Sequence, residues 1–250
     1  MPPLGLHTVV AKEIGDRLRH PLLDGHRGAL YLGSTTPDIR VLTRWDRRVT
    51  HFFDLTNFGH QDGVAEFLRA QPHLADAHAI PPHMAAFVAG YITHLVMDEI
   101  WITQIYRPFF GERSPLGGDC WANILDRAVQ FAMDREGRRD PELVAHIVSE
   151  LARADMGIDL GFVDAETMSR WREITLRVAS RAPEWERFRF IASRYLEEAG
   201  IETPEAFAQF VKTLPQLVEE AVRYLTPERI RFFLETSVEK GLEAVRAYLC

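Results

Sequence analysis

His94 and Asp98 stand four residues apart in Gly90-Tyr91-Ile92-Thr93-His94-Leu95-Val96-Met97-Asp98. On a helix that spacing puts both side chains on one face, one turn apart. An imidazole nitrogen and a carboxylate oxygen so placed can share a divalent cation, with bonds of about 2.0–2.2 Å for zinc. The pair lies inside an apolar run, where a carboxylate without a partner is expensive. Asp98 therefore needs either a metal ion or a hydrogen-bonded couple with His94. Three upstream residues offer more N and O ligands: His7, Asp38 after Pro37, and His51 in Val49-Thr50-His51-Phe52-Phe53-Asp54. Each also has an ordinary role open to it: a surface histidine, a helix cap, and a half-buried histidine between aromatics. Nine of the ten histidines fall at or before His94, and only His146 follows. Any histidine-rich site thus belongs to the first part of the chain, with the remainder as support or lid. Gly90, one turn before His94 on the same face, allows another backbone to approach closely.

Helices must position these residues. Nearly every long segment has helical period, and none alternates for long with period two. The pattern predicts helices over 6–18 and 22–32, the second stopping at Gly33, then a turn cluster through Asp38. An irregular passage carries Arg47, Arg48, His51 and Asp54, and a short helix is expected near 63–69. Pro81-Pro82 open a long helix that should end before Pro108, because the residue preceding proline avoids the helical region. After Gly117-Gly118, amphipathic helices are expected over 120–135, 141–154, 164–179, 184–199, 204–224 and 227–248. Thr203-Pro204-Glu205 and Thr226-Pro227-Glu228 each read as a cap followed by proline at the first helical position. The expectation is an all-α bundle of about nine to eleven helices with no sheet. It is one domain over 1–250, with a metal-binding part over about 1–118 and additional helices over about 119–250.

Composition bounds the function classes. With 46% apolar residues in 250, the chain can bury a sizeable core. Lys and Arg total 29 against 36 Asp and Glu, a formal charge of -7, which disfavours a long nucleic acid as partner. The two cysteines, Cys120 and Cys250, exclude a disulfide framework and a cysteine zinc knuckle. No secretory signal is evident in Met1-Pro2-Pro3-Leu4-Gly5-Leu6-His7, so a soluble cytoplasmic protein is expected. The apolar stretch 84–106 carries His94, Asp98, Glu99 and Gln104. A carboxylate at the centre of a membrane span costs roughly 2.5–3.5 kcal/mol, so a buried helix and no transmembrane segment are expected. Self-association into a homo-oligomer is compatible with this composition.

Taken in order, His7, the Gly33…Pro37-Asp38 turn, Thr50-His51-Phe52-Phe53 and Gly90-Tyr91…His94-x-x-x-Asp98 resemble the zinc-dependent phospholipase C family, which includes the P1-type nucleases. The resemblance covers roughly residues 5–110. It implies an all-helical fold around a cluster of three zinc ions that binds a phosphate ester. Carried over, Asp38, His51, His94 and Asp98 would hold one zinc, and Asp98 would reach a second with His7 and, in the family, the mature chain's N-terminal amine. Asp38 would act as general base or as ligand. The family's third zinc sits on a histidine six residues past the helix Asp and on a later His-x-x-x-Glu. Here Gln104 takes that first place, and only Asp119 and Asn123 stand near the second. The third site is therefore lost or rebuilt, leaving one or two zinc ions. Iron or manganese also suits two histidines and two aspartates. Arg44, Arg47 and Arg48 between Asp38 and His51 could grip phosphate, or form a solvated basic loop.

The expected function is a metal-dependent, phospholipase C-like hydrolase acting on a small or lipid-like phosphate ester. Arg47, Arg48 and Gln104 are its candidate substrate contacts. The alternatives are a metalloenzyme of another reaction class, or a non-catalytic helical metal-binding interaction protein. His20, His26, His60, His73, His78 and His83 are spare ligands that read more simply as solvated. Trp101, Tyr106, Phe109 and Phe110 could line an apolar pocket, though an aromatic stripe at helical spacing is more often core.

Overall fold

Short polar caps and prolines cut this chain into helices. Asp46, Asp62, Asp119, Asp140, Asp164 and Thr203 each accept a hydrogen bond from a backbone N–H of the turn that follows. Those are N–H groups that no helical carbonyl can reach. Prolines stand in the first turn at 21, 82, 141, 204 and 227, where the missing N–H costs nothing.

A computed structural model describes residues 2–250. Its elements in chain order are α1 Leu4–Leu18, α2 Pro21–Gly25, α3 Arg27–Gly33, α4 Arg40–Thr43, α5 Arg47–His51, α6 Gly63–Ala70 and α7 Pro82–Ile100. Then follow α8 Cys120–Gly137, α9 Pro141–Ala152, α10 Ala165–Ala179, α11 Arg189–Glu198, α12 Pro204–Leu225 and α13 Pro227–Leu249. No strand occurs among the described residues, so the all-α expectation holds at that level.

Local breaks raise the helix number above the nine to eleven expected. The segment 22–32 is two helices, α2 and α3, because His26 leaves helical geometry at φ −136° and ψ 41°. The passage through Arg47 and His51 is helical, because Asp46 caps it. The segment 184–199 begins as a tight 3-10 turn, Trp185–Phe188, before α11. Nor does the long helix stop before Pro108. It runs on as a π-helical stretch, Trp101–Phe110. The wider turn bonds each N–H five residues back, as Gly111 N–H does to the Tyr106 carbonyl at 2.7 Å. That register moves the proline ring away from the carbonyl it would strike in an α-helix.

The axis of the molecule is α7, apolar all round and therefore buried on every side. Phe87, Val88, Tyr91, Ile92 and Met97 are fully buried. Helices α3 and α13 pack along it, so the C-terminal helix belongs to the same core as the first. A smaller core joins α8, α11 and α12 through Ile124, Phe131, Phe188, Leu196 and Phe210. Among the described residues, Pro82–Phe110 is the one helical stretch long and apolar enough to cross a membrane. The share of its apolar window buried inside the protein is 89%, the situation of a core helix.

Candidate metal centre

Two glycines bring the elements of the site together. A Cβ on Gly90 of α7 would lie 2.0 Å from the Leu30 carbonyl oxygen, and one on Gly33 would lie 2.0 Å from that of Phe87. Helices α3 and α7 therefore touch backbone to backbone, which only residues without a Cβ permit. That contact carries Ser34, just past α3, up to His94, whose Nδ1–H donates to the Ser34 carbonyl at 2.8 Å. The chain then turns through the 3-10 segment Thr36–Ile39, which holds Asp38. Helix α5 ends at His51, and Phe52 closes it in the left-handed region at φ 52°. The Tyr91 hydroxyl donates to the Thr50 carbonyl and ties α5 to α7. From α1, the His7 ring stacks on that of His94 with centroids 3.7 Å apart.

His7, Asp38, His51, His94 and Asp98, all expected from sequence, come together. His51 Nε2 is 3.3 Å from His94 Nε2, 3.3 Å from Asp98 Oδ2 and 3.4 Å from Asp38 Oδ1. His94 Nε2 lies 3.5 Å from Asp98 Oδ2, and His7 Nε2 lies 3.5 Å from Asp98 Oδ1. Two groups of donors capable of holding a cation share His94: His7, His94 and Asp98, and Asp38, His51 and His94. The histidines and Asp98 are at most 2% exposed, while the Asp38 side chain is 17% exposed and forms the edge nearest solvent.

Hydrogen atoms decide what these distances mean. The Ser34 carbonyl accepts only, so Nδ1 of His94 carries the proton and a neutral His94 presents a lone pair at Nε2. The Thr50 hydroxyl lies 3.4 Å from the Arg47 carbonyl and 2.9 Å from His51 Nδ1; in the tautomer where it donates to that carbonyl it accepts from His51 Nδ1–H, and His51 too presents a lone pair at Nε2. Two Nε2 lone pairs then face each other and a carboxylate, which is repulsive unless a cation or a proton sits among them. Metal-ligating histidines are oriented through their other nitrogen in just this way. Ligands around a tetrahedral ion at bonds of about 2.0–2.1 Å are separated by about 3.3–3.4 Å, the spacing found here. His7 Nε2 and Asp98 Oδ1 are also buried with no hydrogen-bond partner. The donor set therefore fits a divalent ion.

The cluster's charges point the same way. Burial, reinforced by His94, lowers His7 to about 4 against the pull of Asp98. Burial and the nearby Arg47 charge lower His51 as well. For His94 burial is outweighed by Asp98 and Asp38, and it rises. Burial pushes Asp38 and Asp98 upward, but hydrogen bonding and the surrounding imidazoles overcome it, and both sit below the usual carboxylate range. The carboxylates are thus held ionised and His7 and His51 are held neutral, as ligands must be, while His94 keeps its proton more readily and must give it up to a metal.

Of the candidate substrate contacts, only Arg47 reaches the cluster. It is 8% exposed, and its Nη2 donates to Asp98 Oδ2 at 2.9 Å. Arg48 points outward and pairs with Asp46 at 3.1 Å. Gln104 is exposed on the π-helical extension. Consecutive helical positions are turned about 100° from each other, so with Arg47 directed at Asp98 its neighbour Arg48 is carried toward solvent. Asp119 and Asn123 are used elsewhere: Asp119 caps α8, and Asn123 accepts from the Tyr106 hydroxyl at 3.0 Å. Trp101 and Phe110 are core, and Trp101 Nε1–H donates to Asp126 at 2.9 Å. His83 bonds the Gly157 carbonyl and His146 the Tyr31 hydroxyl, so neither serves the cluster. Ser34 and Thr50, which orient the imidazoles, are not identifiable from sequence; the only hint is that Thr50 precedes His51.

A 580 Å³ cleft lies beside the site, lined by Arg48, Phe52, Phe53, Asp54, His60 and Gln61 among others. No cluster residue lines it; the cluster side chain nearest solvent is Asp38. Comparison of the chain with protein-family models, curated proteins and solved structures gives no match.

Proposed function

We propose that this protein is a metal-dependent hydrolase of a phosphate ester, of the zinc-dependent phospholipase C type, with a divalent ion held by Asp38, His51, His94 and Asp98. The observation that carries the proposal is the opposed set of Nε2 lone pairs and carboxylate oxygens at 3.3–3.5 Å. When bound there, a divalent ion supplies Lewis-acid activation of a phosphoryl oxygen and of water at neutral pH. The protein's own groups do the rest. Ser34 and Thr50 hold the imidazoles with Nε2 turned inward. Asp98 balances charge at the buried end of the site. Asp38, ionised and nearest solvent, is a weak proton acceptor; its part is to ligate and to orient an entering water or substrate. His7, stacked on His94 and facing Oδ1 of Asp98, fixes the position of both.

The burial of His7, His51, His94 and Asp98 favours one second reading, a closed metal site with a structural role only. One experiment separates the two. Protein purified without added metal is analysed for bound elements, then assayed with phosphomonoesters, phosphodiesters and phospholipids in zinc, manganese and iron. Turnover that disappears with chelator and returns with one of these metals is expected. A fully occupied site with no turnover across the panel would overturn the hydrolase and leave the structural site.

A further inference from the structure

Among the described residues Arg47 is the one arginine hydrogen-bonded to the cluster, and only part of it is used. Nη2 bonds Asp98, whereas Nε and Nη1 are buried with no hydrogen-bond partner. A guanidinium stays charged, and each buried N–H left unpaired is costly, so these donors call for an acceptor. None is provided among the described residues. Charge counting names its sign. Asp38 and Asp98 bring two negative charges and Arg47 one positive, so a single divalent ion already leaves the cluster positive. A second divalent ion would have to sit between His7 Nε2 and Asp98 Oδ1. With His94 Nε2 given to the first ion, that position keeps two protein ligands and a buried guanidinium on the same carboxylate.

We infer that Arg47 takes the place of a second metal ion: the centre holds one divalent cation and one oxyanion, and the free N–H groups of Arg47 bind that oxyanion. This rests on the metal site proposed above and names the residue that recognises the phosphoryl group. A planar guanidinium offers several donors to phosphate where a lysine ammonium offers a point charge. The approach is past Asp38, which with Arg47 makes up the less enclosed side of the cluster, at side-chain exposures of 17% and 9%.

The test uses the full chain, zinc and inorganic phosphate. Zinc content is measured after equilibration with excess zinc, and phosphate binding to the zinc-loaded protein is followed by calorimetry for wild type, Arg47→Lys and Arg47→Gln. Circular dichroism establishes that each variant is folded. One zinc per chain is expected in wild type. Phosphate should bind about 10- to 100-fold more weakly in Arg47→Gln, with a smaller loss in Arg47→Lys, while zinc content stays at one. If Arg47→Gln does not fold, the loss in Arg47→Lys decides. Unchanged phosphate binding in a folded, zinc-loaded variant overturns the inference and leaves the metal site standing. Two zinc ions per wild-type chain also overturn it. No zinc at all overturns the metal site and this inference with it.

Discussion

Asp98→Asn is the most informative single substitution, because it keeps the side chain's shape and removes the charge on which the cluster depends. Asp98 is 2% exposed and lies 2.9 Å from Arg47, 3.3 Å from His51 and 3.5 Å from both His94 and His7. Removing one partner of a buried pair leaves the other charge unmatched, at about 3–5 kcal/mol. For a chain of 250 residues the unfolding entropy makes each kcal/mol worth about 2 °C in Tm, so metal-free Asp98→Asn should melt about 6–10 °C below wild type. Zinc at a hundredfold excess over its dissociation constant should stabilise wild type by about 2.7 kcal/mol, or about 5 °C. The variant should gain little, having lost the ligand that faces His7, His51 and His94. Asp38→Asn is the contrast: its carboxylate is more exposed and pairs with His51 rather than an arginine, so its metal-free cost should be smaller. Scanning calorimetry with chelator and with zinc measures all of these. An Asp98→Asn protein within about 1 kcal/mol of wild type without metal would refute the buried pair, and one raised by zinc as much as wild type would refute the ligand role.

Gly90→Ala should cost at least about 1–3 kcal/mol in urea unfolding and weaken zinc binding, because its Cβ would strike the Leu30 carbonyl and push Ser34 from His94; wild-type stability would contradict the close α3–α7 contact. Thr50→Val removes the acceptor for His51 Nδ1–H and should lower zinc affinity about 10- to 100-fold, read by competition with a fluorescent chelator. An unchanged affinity would mean that Thr50 does not orient His51. Alkaline stability should fall steeply. Burial raises Tyr31 and Tyr91, both fully buried, above the ordinary tyrosine value. Above about pH 10 the unfolded chain loses these protons while the folded one keeps them, so stability declines by about 1.4 kcal/mol per pH unit for each. Urea midpoints that stay level from about pH 9 to pH 11 would count against that burial, and Tyr31→Phe should remove one tyrosine's share of the slope.

By itself the sequence determined what depends on near neighbours. His94 and Asp98 share a face because helical period alone puts them there, and the apolar run around them dictates burial. Gly90 one turn earlier announced the close backbone approach, and Thr203-Pro204-Glu205 marked a helix start that the Thr203 side chain caps. His7, Asp38 and His51 could be proposed only through their order along the chain, since nothing local tells a ligand from a solvated histidine. The tertiary structure decided the rest. Arg47 and Arg48 are adjacent and chemically identical, yet one is buried against Asp98 and the other lies in solvent beside Asp46. That difference is set by how α5 docks on α7, a contact between residues far apart in the chain. The same holds for the Ser34 carbonyl that turns His94, for the His7 ring stacked on it, and for α13 lying along α7. The helix that passes Pro108 does so by widening its turn, an adjustment proline alone does not reveal. Local pattern fixes which way a side chain faces on its own helix. What it meets there depends on long-range packing, where loop-closure entropy and burial are weighed over the whole chain at once.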